Sequence, residues 1–225
     1  MPPQHVKGLR QVDGRAVWAA QKLSRGVLAM SPERMRHSSA VAARAASLAG
    51  AVDEGDVNLL IAAAWVHDIG YAQPIQQTGF HPLDGARFLR SLNWDPRLCG
   101  LVAHHSGSRF VAAASGLDSA LSEFAYVEDA VSDALTIADQ TVGPYGHRFT
   151  LDERMRDMLE RHGSESANAQ AHPQREAYFR ATLHRVTTRL ADREAIENRA
   201  PSGRPGGGGA PSISARLLPR SRRSS

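Results

Sequence analysis

A histidine and an aspartate lie next to each other at His67-Asp68, at the end of the apolar run 59–66. Burying two adjacent ionisable groups at the edge of a core costs several kcal/mol unless a partner compensates. A metal ion is a common partner, because imidazole nitrogens and carboxylate oxygens are ligands for Fe, Mn, Co, Ni and Zn. The pair therefore indicates a metal site, provided that the chain supplies further ligands.

Further residues of suitable type lie on both sides of this pair, namely His37, His81, His104, His105 and Asp139. Taken singly, each is typical of a surface residue or of a polar residue satisfied within a core. Apart from the two adjacent pairs, none of the intervals between them is short. A metal site that uses them must therefore be assembled from several helices. An aspartate in such a site has two oxygens and can bridge two ions.

The candidate ligands fall on segments with helix-forming signals. Ser31-Pro32 combines an N-cap residue with proline at the first helical position, which predicts a helix that carries His37. The apolar run predicts a second helix, which Asp56 can cap and which ends at His67-Asp68. His81-Pro82 predicts the start of another helix, because proline is favoured at the first helical position.

Further helices follow, and no segment alternates as a strand would. Asp95-Pro96 predicts a short helix that ends at His104-His105, and a later helix carries Asp139 near its end. Thr150 and Glu153 form a capping box. The predicted helices are 15–28, 32–48, 57–68, 81–92, 96–105, 127–141, 150–161 and 173–198, with loop and a short helix between 109 and 121. The sequence therefore predicts an all-α fold.

The composition divides the chain into one folding region between two different segments. Residues 1–14 are punctuated by proline and glycine and are expected to form a flexible arm. Residues 15–198 are expected to form one domain. Residues 199–225 consist mainly of Gly, Pro, Ser and Arg, a composition that cannot bury enough apolar surface to fold. We therefore expect a disordered C-terminal tail.

Composition also limits the compartment and the partners. The one cysteine, Cys99, permits no intramolecular disulfide, which is compatible with a reducing cytoplasm. No apolar run approaches the roughly 20 residues that span a bilayer, and the N-terminus lacks the apolar region of a signal peptide. We therefore expect a cytoplasmic protein without a membrane partner. The net charge of +4 equals the charge of four tail arginines, 216, 220, 222 and 223, so we expect no specific nucleic-acid partner.

The order of His37, His67-Asp68 and Asp139 resembles that of the HD domain superfamily of metal-dependent phosphohydrolases. The segments 80–86 and 102–105 are similar to those with the extra histidines of two-metal HD proteins, including the HD-GYP cyclic-dinucleotide phosphodiesterases. The resemblance covers roughly residues 30–142. It implies an all-α helical bundle with the metal site between helices.

The resemblance also implies roles for the candidate ligands. His37, His67, Asp68 and Asp139 would hold a first metal. A second metal would be held by His81 and His104, with His105 as a further candidate, and Asp68 would bridge the two. His67 and Asp68 would be central to catalysis by a metal-activated water. The ions would be one or two divalent transition metals (Mn, Fe, Ni, Co or Zn), with Mg as a further possibility.

Two features depart from the family pattern. HD-GYP proteins and many HD hydrolases carry a phosphate-binding lysine directly after His-Asp-Ile-Gly, where this chain has Tyr71. The loop signature of HD-GYP proteins is also absent, which disfavours cleavage of cyclic dinucleotides. Phosphate must be bound by other groups, and the candidates near the ligands in sequence are Tyr71, Arg109, Gln140 and Arg148.

Three functions are compatible with these residues. The first is hydrolysis of a phosphomonoester or phosphodiester in a small phosphorylated or nucleotide substrate. The second is an HD-type diiron oxygenase, because such enzymes use four histidines and two aspartates in a similar order. The third is an HD module that senses a nucleotide without turnover. Metal identity, substrate and oligomeric state stay open at this point.

Overall fold

The computed structural model of the protein describes residues 12–163 and 165–199. Within these ranges the chain is helical, with no strand beyond an isolated bridge between Val142 and Arg148. The predicted all-α fold is therefore confirmed. The predicted flexible arm lies outside the described residues except for residues 12–14, and the predicted tail lies outside them beyond residue 199.

All the predicted helices form, with ends that differ from prediction by at most three residues. They are α1 (Gly14–Val27), α2 (Pro32–Ser47), α3 (Val57–Val66), α4 (His81–Ser91), α5 (Pro96–His104), α6 (Ser108–Ala114), α7 (Asp118–Leu121), α8 (Ala130–Gln140), α9 (Leu151–His162), α10 (Ala167–Gln170) and α11 (His172–Arg199). Short 3-10 turns at Ile69–Tyr71 and His105–Gly107 follow α3 and α5. The first turn directly follows Asp68, and the second begins at His105.

Side-chain caps begin several helices, as their sequences predict. The Asp95 carboxylate accepts hydrogen bonds from backbone N–H groups in the first turn of α5, and Thr150 and Glu153 form the predicted reciprocal box at α9. The prediction that Asp56 caps α3 is wrong, because its side chain makes no cap hydrogen bond. The carboxylate instead accepts hydrogen bonds from Arg97 at 2.6 and 2.8 Å, and such a bidentate ion pair is the stronger interaction.

Helix α3 lies at the centre of the fold. Its side chains are apolar except for Asn58 near its start, and seven of its ten residues are buried against α1, α2, α5 and α8. A helix that is apolar on all sides belongs in the middle of a bundle. The helix ends at Val66, so His67 and Asp68 follow immediately in the centre of the protein. The cost of burying this pair is therefore real and needs a compensating partner.

Two glycines allow the chain after Asp68 to pack tightly against α4. A Cβ atom at Gly70 would overlap the backbone carbonyl of His81 and lie 2.7 Å from the amide nitrogen of Gly85. Gly85 in turn faces the Gly70 backbone, where an added Cβ would be 3.2 Å from the nitrogen. This close approach fixes the start of α4, and hence His81, beside Asp68.

The C-terminal helices cover one side of the central bundle. Asp133 on α8 is 1% exposed and accepts hydrogen bonds from Arg185 and Arg189 of α11 at 2.6–2.9 Å. A small apolar cluster that includes Met155 and Phe179 joins α9 to α11. As a result, α9 and α11 pack together, and both contribute residues to the cleft that the candidate ligands also line. In the part of the chain that the structure describes, no helix is long and apolar enough to cross a membrane.

Candidate metal centre

Four of the candidate ligands form a buried group between α2, α3 and α8. The His37 Nε2 atom lies 3.0 Å from Asp139 Oδ1 and 3.4 Å from His67 Nε2. The His67 Nε2 atom is 3.7 Å from Asp139 Oδ1 and 3.5 Å from Asp68 Oδ1. These atoms come from residues as far apart as 37 and 139 and are close enough together to surround one cation.

A second group adjoins the first and shares Asp68 with it. The Asp68 Oδ1 atom lies 3.3 Å from His81 Nε2 and 3.8 Å from His105 Nε2, and these two nitrogens are 3.3 Å apart. The other oxygen, Oδ2, is 3.6 Å from His37 Nε2. Asp68 therefore lies between two sets of imidazoles, with oxygens toward both.

The histidine rings are oriented by backbone carbonyls. The Nδ1 atoms of His37, His67 and His105 lie 3.0, 2.8 and 2.6 Å from the carbonyl oxygens of Gly143, Ala64 and Val102. A carbonyl oxygen can only accept a hydrogen bond, so each neutral ring carries its proton on Nδ1. The Nε2 lone pairs are then directed toward the centre of the group. Anchoring of the second ring nitrogen in this way is typical of histidines that bind metals.

These residues fit a metal ion. The His37 and His67 Nε2 atoms face each other at 3.4 Å, and those of His81 and His105 at 3.3 Å. The raised pKa of His67 places a proton between the first pair when no metal is bound, and a metal ion would bind both nitrogens in place of that proton. Burial lowers the pKa values of His81 and His105, so both of these rings are neutral and a cation between them would bind both nitrogens. Four imidazole nitrogens and two carboxylates form a ligand set suited to divalent transition metals.

The electrostatics of the group keep the carboxylates ionised. Burial raises the pKa of Asp68 and of Asp139, but neighbouring histidines outweigh it and hold both pKa values well below the usual range. Burial lowers the pKa of His67, but Asp68 and Asp139 outweigh it and raise that pKa to about 9. Burial and two neighbouring histidines lower the pKa of His105 to about 3. The metal-free group therefore retains two anionic ligands and several neutral ones.

The comparison with known proteins agrees with this geometry. A sequence model of the HD domain matches residues 34–193, which is more than half of the chain. The chain belongs to the HD domain family. No curated protein and no solved structure matches it significantly. HD domains are generally metal-dependent hydrolases, and the matched region of this HD domain contains all the residues of both groups.

The two adjacent histidines at the end of α5 face different surroundings. The resemblance implies that His104 holds the second metal, but its Nε2 lies 2.8 Å from the Phe124 carbonyl oxygen and its ring packs on Tyr126. Two sets of three described residues lie close enough together to hold a metal, namely His37, His67 and Asp139, and His67, Asp68 and His105. His81 and His104 belong to neither set, but His81 Nε2 lies 3.3 Å from both Asp68 Oδ1 and His105 Nε2, whereas the His104 Nε2 atom is taken up by the Phe124 carbonyl. The helix ends at His104, and the chain then turns through Ser106 (φ 52°) and Gly107 (φ 65°), which directs His105 inward.

The candidate phosphate-binding residues also separate into two pairs. Tyr71 and Gln140 line a cleft of about 260 Å³ that opens onto the ligands, and Gln140 donates a hydrogen bond to Asp139 at 2.9 Å. Arg109 lies outside this cleft, with its guanidinium stacked on aromatic rings including that of Tyr178. Arg148 is exposed and also lies outside it.

Sequence reasoning missed the arginines that do line this cleft, namely Arg34, Arg154, Arg161 and Arg175. Arg34 precedes His37 by one helical turn, and that spacing alone indicates a shared face of α2. Arg154 and Arg161 are seven residues apart on α9 and share a face for the same reason. Arg175 had no comparable signal, because its position depends on how α11 packs.

Proposed function

We propose that this HD domain is a metal-dependent phosphohydrolase that acts on a small phosphoester. The observation that carries the proposal is the convergence of four imidazole nitrogens and the Asp68 and Asp139 carboxylates, at the floor of a cleft lined by arginines. The ligand set suits metals that activate water, and the arginines suit an anionic substrate. The family relationship supports the same class of reaction.

The ligands divide between two ions in this proposal. His37, His67 and Asp139 would hold the first ion, His81 and His105 the second, and Asp68 would contact both. When bound, the ions would polarise phosphoryl oxygens and lower the pKa of a bound water to near 7. The chain itself supplies ring orientation, through the backbone carbonyls that anchor the histidines, and a site from which bulk water is largely excluded.

Asp139 is held in place by two neighbours. The hydroxyl of Ser106 and the side-chain amide of Gln140 both donate hydrogen bonds to its Oδ2 atom. This leaves Oδ1 facing His37 and His67, where a metal would bind. The left-handed backbone at Ser106 has an unfavourable energy for a non-glycine residue. That strain is explained if the turn is needed to bring both His105 and the Ser106 hydroxyl to the site.

Arg34 and Tyr71 supply the phosphate contacts that a lysine supplies in related proteins. The Arg34 guanidinium lies 3.8 Å from the centre of the Tyr71 ring, which in turn stacks on His81 at 3.9 Å. Burial lowers the pKa of Arg34, but Asp68 outweighs it and raises that pKa above its usual value. Burial raises the pKa of Tyr71 to about 12. At neutral pH the cleft therefore presents a phenolic O–H donor and the Arg34 guanidinium, one nitrogen of which donates to Asp68 Oδ2 at 3.2 Å.

One observation favours an alternative function, oxidation of an organic substrate at a diiron centre. With His105 instead of His104 as the ligand of the second metal, the site contains four histidines and two aspartates. This is the ligand count that the oxygenase alternative requires. The arginines of the cleft favour the hydrolase, because a neutral organic substrate gives them no counter-charge. A coupled iron signal in the electron paramagnetic resonance spectrum, with oxygen uptake on an organic substrate, would favour the oxygenase. A nucleotide sensor would show nucleotide-dependent thermal stabilisation without turnover.

The proposal is tested with protein purified in Mn²⁺ or Fe²⁺ and assayed on p-nitrophenyl phosphate, bis-p-nitrophenyl phosphate and a nucleotide panel. We expect metal-dependent product release that EDTA abolishes and that Asp68→Asn lowers by at least about 100-fold. Asp95→Asn is the matched control, since asparagine also caps a helix and Asp95 lies outside the cleft. Release from no substrate, or unchanged activity in Asp68→Asn, would contradict the proposal.

A further inference from the structure

The side of the cleft that α9 and α11 form is cationic. Its charged side chains are Arg154 and Arg161 of α9 and Arg175 of α11, and we refer to these three as the arginine wall. The carboxylate of Asp157 forms ion pairs with both Arg154 (2.9 Å) and Arg161 (2.8 Å). One carboxylate for three guanidinium groups leaves two positive charges uncompensated within the wall.

Arg175 is unusually buried for an unpaired cation. It is 6% exposed, and its guanidinium donates to the Asn168 side-chain oxygen (3.0 Å) and the Ser106 carbonyl (3.1 Å). In the described part of the chain no carboxylate forms an ion pair with it. Burial lowers its pKa to about 10, so it remains charged at neutral pH. The carboxylate that acts most on its charge is Asp139, which a bound metal would engage. A buried guanidinium that makes no ion pair of its own is costly and indicates that an anion outside the chain binds there.

Unsatisfied donors in the wall support the same conclusion. The Nε atoms of Arg154 and Arg175 are buried and make no hydrogen bond to any group that the structure describes. Each unpaired buried donor costs about 1–3 kcal/mol, and a polyanion has enough acceptor oxygens to satisfy several. Both residues line the same cleft as the metal ligands, and Arg154 is 8% exposed. The arginine wall therefore contains buried, positively charged side chains whose Nε–H groups have no acceptor.

The wall is additional to the groups that would hold the reacting phosphate. That phosphate has the two ions, Arg34 and Tyr71 on its own side of the cleft in the proposed function. A single phosphomonoester carries at most two negative charges, which those groups would already neutralise. Arg175 donates a hydrogen bond to the Ser106 carbonyl and interacts with the charge of Asp139, but it forms no ion pair with a described metal ligand.

We propose that the arginine wall binds a second phosphate group of the substrate, so that preferred substrates carry at least two phosphates. This inference rests on the proposed function and specifies its substrate class. The two phosphates can be linked as a diphosphate or separated on a small scaffold. The cleft volume of about 260 Å³ suits a small molecule of either kind. A substrate with one phosphate would leave the Nε atoms of Arg154 and Arg175 without an acceptor.

The substrate preference is tested with pairs of compounds that share a scaffold. AMP is compared with ADP and adenosine 3′,5′-bisphosphate, and fructose 6-phosphate with fructose 1,6-bisphosphate, in the Mn²⁺-loaded enzyme. We expect kcat/KM for the compound with two phosphates to exceed that for its monophosphate by at least about tenfold, since a tenfold ratio corresponds to about 1.4 kcal/mol, or one charge-assisted hydrogen bond. In Arg154→Gln and in Arg175→Lys this ratio falls toward one.

Arg180→Gln is the matched control, because Arg180 lies on α11 but pairs with Asp152 and Glu176 outside the cleft. We expect it to keep the wild-type ratio. If monophosphates and two-phosphate compounds are hydrolysed equally well, the inference is wrong while the proposed function stands. If no phosphoester is hydrolysed, the proposed function fails, and the wall is then judged by binding alone.

Binding is measured without metal or turnover. In EDTA, inorganic pyrophosphate is titrated against the wild type and against Arg154→Gln while thermal unfolding is monitored. We expect pyrophosphate to raise the melting temperature of the wild type and of Arg180→Gln, and to raise that of Arg154→Gln by less than half as much. An equal rise in all three proteins, or no rise in the wild type, would overturn the inference.

Discussion

Replacing His105 or His104 by alanine separates a metal ligand from its neighbour in the chain. His105 Nε2 lies 3.3 Å from His81 Nε2 and 3.8 Å from Asp68 Oδ1, whereas His104 Nε2 bonds the Phe124 carbonyl. Both substitutions remove one imidazole, buried for His105 and half-buried for His104, and one hydrogen bond to a backbone carbonyl. In metal-free protein we therefore expect similar losses of unfolding free energy, about 1–3 kcal/mol each.

The two variants differ once metal is added. Loss of groups that merely orient a metal ligand lowers affinity by about 10–100-fold, so loss of His105 itself should weaken the second ion by at least about 100-fold. At saturating metal this removes about 2.7 kcal/mol of ligand-linked stabilisation, or roughly 5–11 °C of the metal-induced rise in melting temperature. His104→Ala should keep the whole rise.

The assay is thermal unfolding in EDTA and in excess Mn²⁺, combined with metal content measured by mass spectrometry after desalting. We expect two ions per chain in the wild type and in His104→Ala, and one in His105→Ala. If His104→Ala loses an ion while His105→Ala retains both, the assignment of the second site is wrong. Loss of both ions in both variants would instead show that His104 and His105 are equally important for metal binding, contrary to the observed geometry.

Three further predictions concern pH, packing and a buried ion pair. The pKa of His67 is raised to about 9, so the stability that this shift contributes is complete below pH ~6.5 and is lost as the pH rises toward 9. The melting temperature of EDTA-treated protein should therefore fall between these two pH values. A melting temperature that does not change over this interval would contradict the prediction. Gly70→Ala should lower the unfolding free energy by about 2–3 kcal/mol in urea titrations, because its Cβ would overlap the His81 carbonyl; unchanged stability would refute the close contact. Asp133→Ala should lower the free energy of unfolding by about 2–3 kcal/mol. This is less than for a fully buried ion pair, because the side chain of Arg185 is 32% exposed and can be hydrated. The metal content should not change.

Local signals in the sequence were sufficient for the helices. Proline at the first helical position, Asp and Thr caps, and the apolar run of α3 act within a few residues of where they lie, and the predicted helices are present. Asp56 shows the limit of such reasoning. The sequence around Asp56 predicts that its side chain caps α3. The guanidinium of Arg97, 41 residues away, binds this carboxylate instead and forms the stronger interaction.

The site depended more on tertiary packing. His37, His67, Asp68, His81 and Asp139 are all brought together by the fold, and so is His105 rather than His104. Helical periodicity does not separate the two histidines, because residues 98–103 of α5 are all buried and His105 follows the last residue of the helix. The arginine wall could not be inferred from motifs, because α9 and α11 contribute to the cleft only through their packing against the central bundle.

The central claim is that Asp68 lies between two metal ions, one held with His37, His67 and Asp139 and the other with His81 and His105. The most direct test is anomalous diffraction at the Mn or Fe absorption edge from crystals of metal-loaded protein. We predict two anomalous peaks, one on each side of the Asp68 carboxylate, each within about 2.0–2.3 Å of its ligand atoms. Absence of any peak beside Asp68, or a second peak coordinated by His104, would contradict the account.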